Sequence, residues 1–271
     1  MNPSEITATL ARLGVVPSKG KGQNFLIDDR VAERQIDYAE LSEQDTVLEV
    51  GPGLGVLTTR LAGRAGKVIA IETDAKLASY LRGGLPENVE LIEADALEVD
   101  FPRFDKFVSN LPYSISSPII FKLLEHDFQR AVVMLQKEFA DRMVAPPDTD
   151  DYSRLTVNVY YRAECRILEK VPKSRFWPAP KVDSAIVELV PRPPPFGVED
   201  ERLFFKLVEM LFQNRRKKIG TVLRMRSLIQ AEDRSSLPYM DLRVEALSPE
   251  QIGELTNAVH QLIASRREVR Q

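Results

Sequence analysis

The chain has 271 residues, 44% of them apolar, enough for one standard domain plus a small one, and no run approaches the ~18 consecutive apolar residues of a membrane span. Its single cysteine, Cys165, excludes an internal disulfide and a multi-cysteine metal site, and with neither His126 nor His260 in a motif that would activate it, Cys165 reads as a small apolar residue at a strand edge. The formal net charge of −3 excludes a uniformly basic nucleic-acid binder, no charged-then-apolar leader opens the sequence, and a metal-free cytoplasmic protein is expected.

Residues 4–13 read as a short capped helix closed by Gly14. The next stretch, from Lys19 and Lys21 to Leu26, is basic and glycine-rich, then abruptly apolar. It is either a flexible arm or a loop folded over a ligand, with Gln23 and Asn24 as hydrogen-bonding groups and Phe25 as anchor. A helix is expected from Asp28 to about Ala39. Residues 46–50 form a strand, Gly51-Pro52-Gly53-Leu54-Gly55 follows at once, and residues 56–61 start a helix. Strand, glycine loop and helix are the first unit of a nucleotide-binding α/β sheet. A dinucleotide fingerprint needs glycine where Val56 stands, so the G-x-G-x-G spacing suits a ligand without a pyrophosphate.

A second strand over 67–71 ends in Glu72, whose carboxylate can accept from both hydroxyls of a ribose. A third, 89–92, leads to Asp95, placed to accept from an amino group such as that of adenine. A glycine loop alone is weak evidence. A loop after the first strand and an acid after each of the next two form an ordered set that specifies an adenosine-containing cofactor.

The fourth strand delivers Asn110-Leu111-Pro112-Tyr113 to a strand-to-helix loop, with Ser116-Ser117-Pro118 as the helix start. Pro112 lacks an N–H and holds Leu111 extended, which turns the Asn110 amide and nearby carbonyls toward a pocket beside the Tyr113 ring. Two acceptors and a stacking face match the exocyclic amine of a base; the plainer reading is a turn made of ordinary turn residues. A fifth strand spans 131–135 and a helix follows. Residues 154–161 and 165–171, apolar and β-branched, complete the sheet as strands. The loop 174–184 and the strand 185–190 make a hairpin at its edge, with Phe176 either in the core or stacked on a base.

Pro191 to Gly197 is a proline-rich linker. Beyond it Leu203, Phe204, Leu207, Val208, Leu211 and Phe212 recur at helical spacing. Residues 202–226 hold eight Lys/Arg against one acid, Glu209, centred on Arg215, Arg216, Lys217 and Lys218. The cluster is a solvated helix end or a phosphate-binding surface, and beside a base-handling site the second is expected.

These stretches together resemble the KsgA/RsmA-type small-subunit ribosomal RNA adenine N6-dimethyltransferases of the class I S-adenosylmethionine-dependent fold. The matching stretches are 22–26, 48–55, Glu72, 95–97, 110–113, 176–184 and 213–218, spread over essentially the whole chain; the compact tail and residues 151–155 look archaeal. The resemblance implies a Rossmann-like α/β sheet flanked by helices over residues 1–190 (arm 1–27), a linker over 191–198 and a small all-α RNA- or ribosome-binding domain over 199–271. It implies S-adenosylmethionine held by Gln23 and Asn24 toward its methionine end, by Gly51, Gly53 and Gly55 beneath it, by Glu72 at the ribose, and by Asp95 and Ala96 at the adenine, with Leu26 and Asn110 also at the cofactor. Asn110 and Leu111 would accept from the target amine beside Pro112, with Tyr113 and Phe176 stacked on a flipped adenine. Lys19, Lys21, Arg215 to Lys218 and Arg224 would hold RNA of a pre-30S-like particle, and the protein would act as a monomer. Three alternatives stay open: a large-subunit rRNA methyltransferase of the macrolide-resistance type, an rRNA-binding assembly factor with dispensable catalysis, and, against Val56, a NAD-dependent oxidoreductase.

Overall fold

The computed structural model describes residues 1–16 and 23–268, which fall into two compact units, residues 1–140 with 164–191 and residues 141–163 with 192–271.

In the first unit α1 (Pro3–Leu13) opens on a reciprocal cap: Asn2 accepts from the Glu5 N–H while the Glu5 carboxylate accepts from the Asn2 N–H. There follow β1 (Phe25–Leu26), α2 (Asp29–Ala39), β2 (Thr46–Val50), α3 (Val56–Ala62), β3 (Lys67–Glu72), α4 (Ala75–Arg82), β4 (Val89–Glu93) and β5 (Lys106–Asn110). A single 3-10 turn, Tyr113–Ile115, leads into α5 (Ser116–Leu123), then β6 (Arg130–Gln136) and the start of α6 (Lys137–Met143), which from Asp141 on belongs to the second unit. The helix start expected at Ser116-Ser117-Pro118 has no serine cap: Ile115 is the cap residue, and the Ser116 hydroxyl donates to the Pro112 carbonyl instead.

The seven-stranded sheet runs β4-β3-β2-β5-β6-β9-β7, with β7 (Ala163–Val171) and β9 (Ser184–Pro191). The strands β4, β3, β2, β5 and β6 are parallel, and β9 is antiparallel to β6. Strands β2, β5 and β6 are almost wholly buried, as parallel strands covered on both faces must be, which explains their near-continuous apolar runs. The expected edge hairpin is present in altered form, because β9 lies inside the sheet and β7 takes the edge. Strand order reverses between β3 and β5 around β2, so the loops after β2 and β5 open on one crevice, where open α/β sheets bind ligands. The Ser109 hydroxyl donates to the Val50 carbonyl at 2.6 Å, fastening these two strand ends together. Behind them, buried Gln35 of α2 donates to the Ser109 and Val132 carbonyls. Outside the sheet, β1 pairs with β8 (Phe176–Trp177), setting Phe25 opposite Trp177 and Leu26 opposite Phe176.

The second unit contains α7 (Arg154–Arg162), α8 (Glu201–Gln213), α9 (Ile219–Met225) and α10 (Pro249–Glu268). Here the expectation of a strand over 154–161 is corrected. Leu155, Val157, Val159 and Tyr161 alternate like a buried strand, but Ser153 and Thr156 form a capping box that starts a helix. The first unit still ends at Pro191, but it is not continuous over 1–190 as expected, because residues 141–163 join the helical unit. Tyr161 packs there against Phe204 and Phe196, with ring centroids 4.9 and 5.1 Å away. The apolar stripe of α8 and Ile252, Leu255 and Val259 of α10 share this core.

Candidate active site

A cavity of about 320 Å³ opens at the C-terminal ends of β2, β3 and β5. Its wall contains Gln23, Asn24, Leu26, Gly51, Gly53, Glu72, Asp95, Ala96, Asn110, Leu111, Pro112, Tyr113 and Phe176. Residues read from six separate stretches of sequence thus meet around one space. Gly55 stands apart from that wall. It caps α3 at φ 80°, with Leu81 packed so close that a Cβ would lie 2.8 Å from it, and serves to turn the loop into the helix. Lys19 and Lys21 lie outside the described residues.

The glycine loop is built against its partners. Gly51 has φ 74°, and a Cβ there would meet the Pro112 ring at 3.1 Å, so the first glycine allows the two loops to touch. The Gly53 N–H donates to Glu72 Oε2 at 3.1 Å, and the Asp74 N–H donates to Glu72 Oε1 at 2.9 Å. Glu72 is 5% exposed; burial raises its pKa, and these backbone donors offset part of the rise. Asp95 Oδ1 accepts from the Leu97 N–H, which fixes the turn after β4.

Asn110 is the last residue of β5, paired with Met134 of β6, rather than a loop residue. Its Oδ1 is buried and has no hydrogen-bond partner in the protein. A buried amide oxygen left so costs on the order of 1–3 kcal/mol, a deficit that a ligand N–H would relieve. Tyr113 stands on the 3-10 turn; burial raises its phenol pKa, and a 2.6 Å hydrogen bond with Ser184 acts in the opposite sense. Phe176, 5% exposed, belongs to the core cluster that holds Leu26, Val31, Met134 and Ile186, and it also lines the cavity. Trp177 packs with Ile6, Leu10 and Phe25 against α1.

Among the wall residues that the sequence did not single out, one is ionisable and buried. Glu49, in the middle of β2, is 1% exposed and lines the cavity, and its Oε2 has no partner. Burial is the main cause that pushes its carboxyl up to about 8; Thr58 lowers it and the nearby Glu72 charge raises it further. An acid inside an otherwise apolar buried strand was the available signal. Cys165 is also raised, to about 12, first by burial and then by Glu188, and is no nucleophile at neutral pH.

The basic cluster of the second unit divides in two. Arg215 donates to the Glu245 carboxylate at 2.6 Å and to the Thr149 and Asp150 carbonyls at 2.7 and 2.6 Å, so its guanidinium holds that unit's own loops together. Arg216, Lys217, Lys218 and Arg224 are exposed. Lys218 pairs with Asp241, and the Lys217 ammonium touches the Met225 sulfur at 3.6 Å.

A mostly parallel sheet with a glycine loop at the switch point, a buried acid ending β3 and an Asn-Leu-Pro-Tyr stretch beginning at the end of β5 defines an α/β protein of the class I methyltransferase fold. The ribosomal RNA adenine dimethylase family model matches residues 18–261. The chain is 52% identical over 249 residues to a probable ribosomal RNA small subunit methyltransferase A of Methanosarcina mazei, covering 89% of this chain and 92% of that one. It is 48% identical over 246 residues to the protein of the same description from Thermococcus gammatolerans, covering 87% of each. Among solved structures, a dimethyladenosine transferase from Plasmodium falciparum is similar with TM-score 0.71 and 31% identity, over 85% of this chain and 95% of that one. The 23S rRNA methyltransferase ErmE is similar with TM-score 0.64 and 34% identity, over 88% and 100%. The chain belongs to the ribosomal RNA adenine dimethylase family. No helix among the described residues is long and apolar enough to cross a membrane.

Proposed function

We propose that this protein dimethylates the N6 amines of two adjacent adenosines near the 3′ end of small-subunit ribosomal RNA, using S-adenosylmethionine. The observation that carries this reading is the buried, unpartnered Oδ1 of Asn110, in a wall shared with Glu72, Tyr113 and Phe176. The cavity's lining fits the cofactor: Glu72 to accept from ribose hydroxyls, Asp95 and Ala96 for adenine, Gln23 and Asn24 for the polar methionine end, Leu26 as apolar wall and the Gly51–Gly53 backbone for close approach. When bound, S-adenosylmethionine supplies a sulfonium methyl already activated for transfer.

The chain's own task is to make a poor nucleophile usable. The lone pair of an adenine amine is delocalised into the ring. Accepting from its N–H groups with Asn110 Oδ1 and the Leu111 carbonyl favours the form in which that pair is available, and no strong base is required because the proton leaves readily from the alkylated nitrogen. Tyr113 and Phe176 stack on the extruded base and offset the few kcal/mol that extrusion costs. After one transfer an N–H remains, so one acceptor keeps its partner and a second transfer follows the same path.

The reading places the protein in the cytoplasm, acting as a monomer on a pre-30S-like particle. The names of the archaeal relatives support the small subunit, and the similarity to ErmE makes the large subunit the alternative to test. The experiment is transfer of labelled methyl from S-adenosylmethionine to under-methylated small and large subunits in parallel, followed by nucleoside analysis. Dimethyladenosine confined to small-subunit RNA is expected. Label confined to the large subunit would reassign the substrate, and cofactor binding without transfer to either would leave an assembly factor.

Within the basic cluster, Arg216, Lys217, Lys218 and Arg224 are the phosphate-binding candidates, and Arg215 acts through the fold. Alanine at Arg215 should destabilise the protein by about 1–3 kcal/mol through the bonds it removes from Glu245, Thr149 and Asp150. Alanine at Arg216 or Arg224 should leave thermal stability within about 0.5 kcal/mol. Each should lower RNA affinity and reduce the slope of log K against log salt by roughly one. Melting curves and a salt titration separate the two groups, and a stable Arg215→Ala protein with a reduced salt slope would put Arg215 back at the RNA.

A further inference from the structure

The β9 end of the cavity contains a contact that the proposed chemistry does not use. The Tyr113 and Ser184 hydroxyls lie 2.6 Å apart, and either can donate. Ser184 is fully buried and opens β9 opposite Gln136 of β6, so its backbone is fixed by the sheet. The adjoining connection is tied as well: the Lys137 N–H donates to the Asp183 carbonyl at 2.9 Å, and the Lys173 N–H donates to the Asp183 carboxylate at 2.9 Å. Tyr113, by contrast, stands on a single 3-10 turn whose entry residue Pro112 makes no side-chain cap. The far end of the Tyr113 ring is therefore tied to a buried residue whose backbone belongs to the sheet. Stacking needs only the aromatic face, which phenylalanine would supply equally; the hydroxyl is what this contact uses.

We infer that Ser184 is a positioning residue for the reaction, holding the Tyr113 ring at the angle that seats the target base, and that the second methyl transfer depends on it more than the first. The inference rests on the proposed reading of the cavity as an adenine N6 site. A monomethylated amine has one N–H where adenine has two, so one of the two acceptor contacts with Asn110 and Leu111 is lost after the first transfer. Placement of the nitrogen then falls more heavily on the stacked walls. A ring free to tilt tolerates the first transfer and fails the second.

The test measures single-turnover rates of the two transfers and the ratio of monomethyl- to dimethyladenosine for wild type, Ser184→Ala, Ser184→Thr, Tyr113→Phe and the Ser184→Ala/Tyr113→Phe double variant. Loss of one hydrogen bond predicts a fall of roughly tenfold in the second rate, a smaller fall in the first, and accumulation of monomethyladenosine in Ser184→Ala and Tyr113→Phe alike. The double variant should be no worse than either single one, since both remove the same bond, and Ser184→Thr should restore the dimethyl product. S-Adenosylhomocysteine affinity, measured by titration, should stay at the wild-type value throughout. A wild-type product ratio in either single variant, or additive losses in the double, overturns the inference. If Ser184→Ala lowers the melting temperature substantially, Tyr113→Phe, which leaves the strand intact, decides alone. A wild-type enzyme that methylates no adenine in either subunit would defeat the underlying reading and the inference with it.

Discussion

Replacing Asn110 with alanine should lower the methyl-transfer rate by on the order of 10²–10³-fold, as removal of one preorganised polar group does in other active sites. The fold supplies the preorganisation. Asn110 closes β5 in register with Met134, Ser109 beside it is bonded to Val50, and Gln35 fastens the Ser109 carbonyl from behind. The amide is therefore held in place before any substrate arrives, with Oδ1 unpartnered and facing a cavity. Truncation removes that acceptor without creating a larger buried defect, so stability should change little or improve, because an unsatisfied polar atom leaves with it. Cofactor affinity should stay within a few-fold of wild type, since Glu72 and the glycine loop are untouched. Pre-steady-state transfer to small subunits, with cofactor titration on the same preparation, checks all three. An Asn110→Ala protein that transfers at near the wild-type rate would remove Asn110 from the chemistry.

Most of this site could be read from the chain because its parts obey local rules. A buried parallel strand is an apolar run, the glycine loop must follow the first, and acids that end the next two strands fall at fixed places along the chain. The pieces that escaped obey rules that act across it. Residues 154–161 alternate in polarity as a strand would, yet the hydroxyl pair Ser153 and Thr156 starts a helix, and the aromatics that bury it, Phe196 and Phe204, come some 40 residues later. The helical unit takes a segment from each side of β7 and β9, which a reading in chain order assigns to one side only. Arg215 sits in a basic run indistinguishable by sequence from its neighbours, and only the Thr149 and Asp150 carbonyls and Glu245 set it apart. Ser184 and Tyr113 are separated by 71 positions, and nothing in either neighbourhood announces the bond.

Glu49→Gln should stabilise the protein at alkaline pH, with the gain growing as pH rises. Glu49 in the folded state titrates at about 8, against an ordinary glutamate value near ~4.3 in the unfolded chain. Between those values the folded state keeps a proton that the unfolded state has released, so the unfolded state binds fewer protons and stability falls with rising pH, at up to about 1.4 kcal/mol per unit. The loss begins above the unfolded value and is complete above the folded one, amounting to several kcal/mol at most over the window. Glu72, raised in the same direction by burial, adds to the slope in both proteins. Glutamine keeps the shape and removes the titration. The two proteins should melt within a few degrees of each other near pH 5 and differ by a further roughly 8–15 °C at pH 8.5, given about 2–4 °C per kcal/mol for a protein of this size. The same substitution should weaken cofactor binding above about pH 8, where Glu49, which lines the cavity, is ionised and a carboxylate attracts a cationic ligand that an amide does not. Melting curves across pH with and without S-adenosylmethionine measure both effects. A melting-temperature difference independent of pH would show that Glu49 does not hold its proton in the folded protein, and unchanged ligand stabilisation would show that its carboxyl is no part of the site.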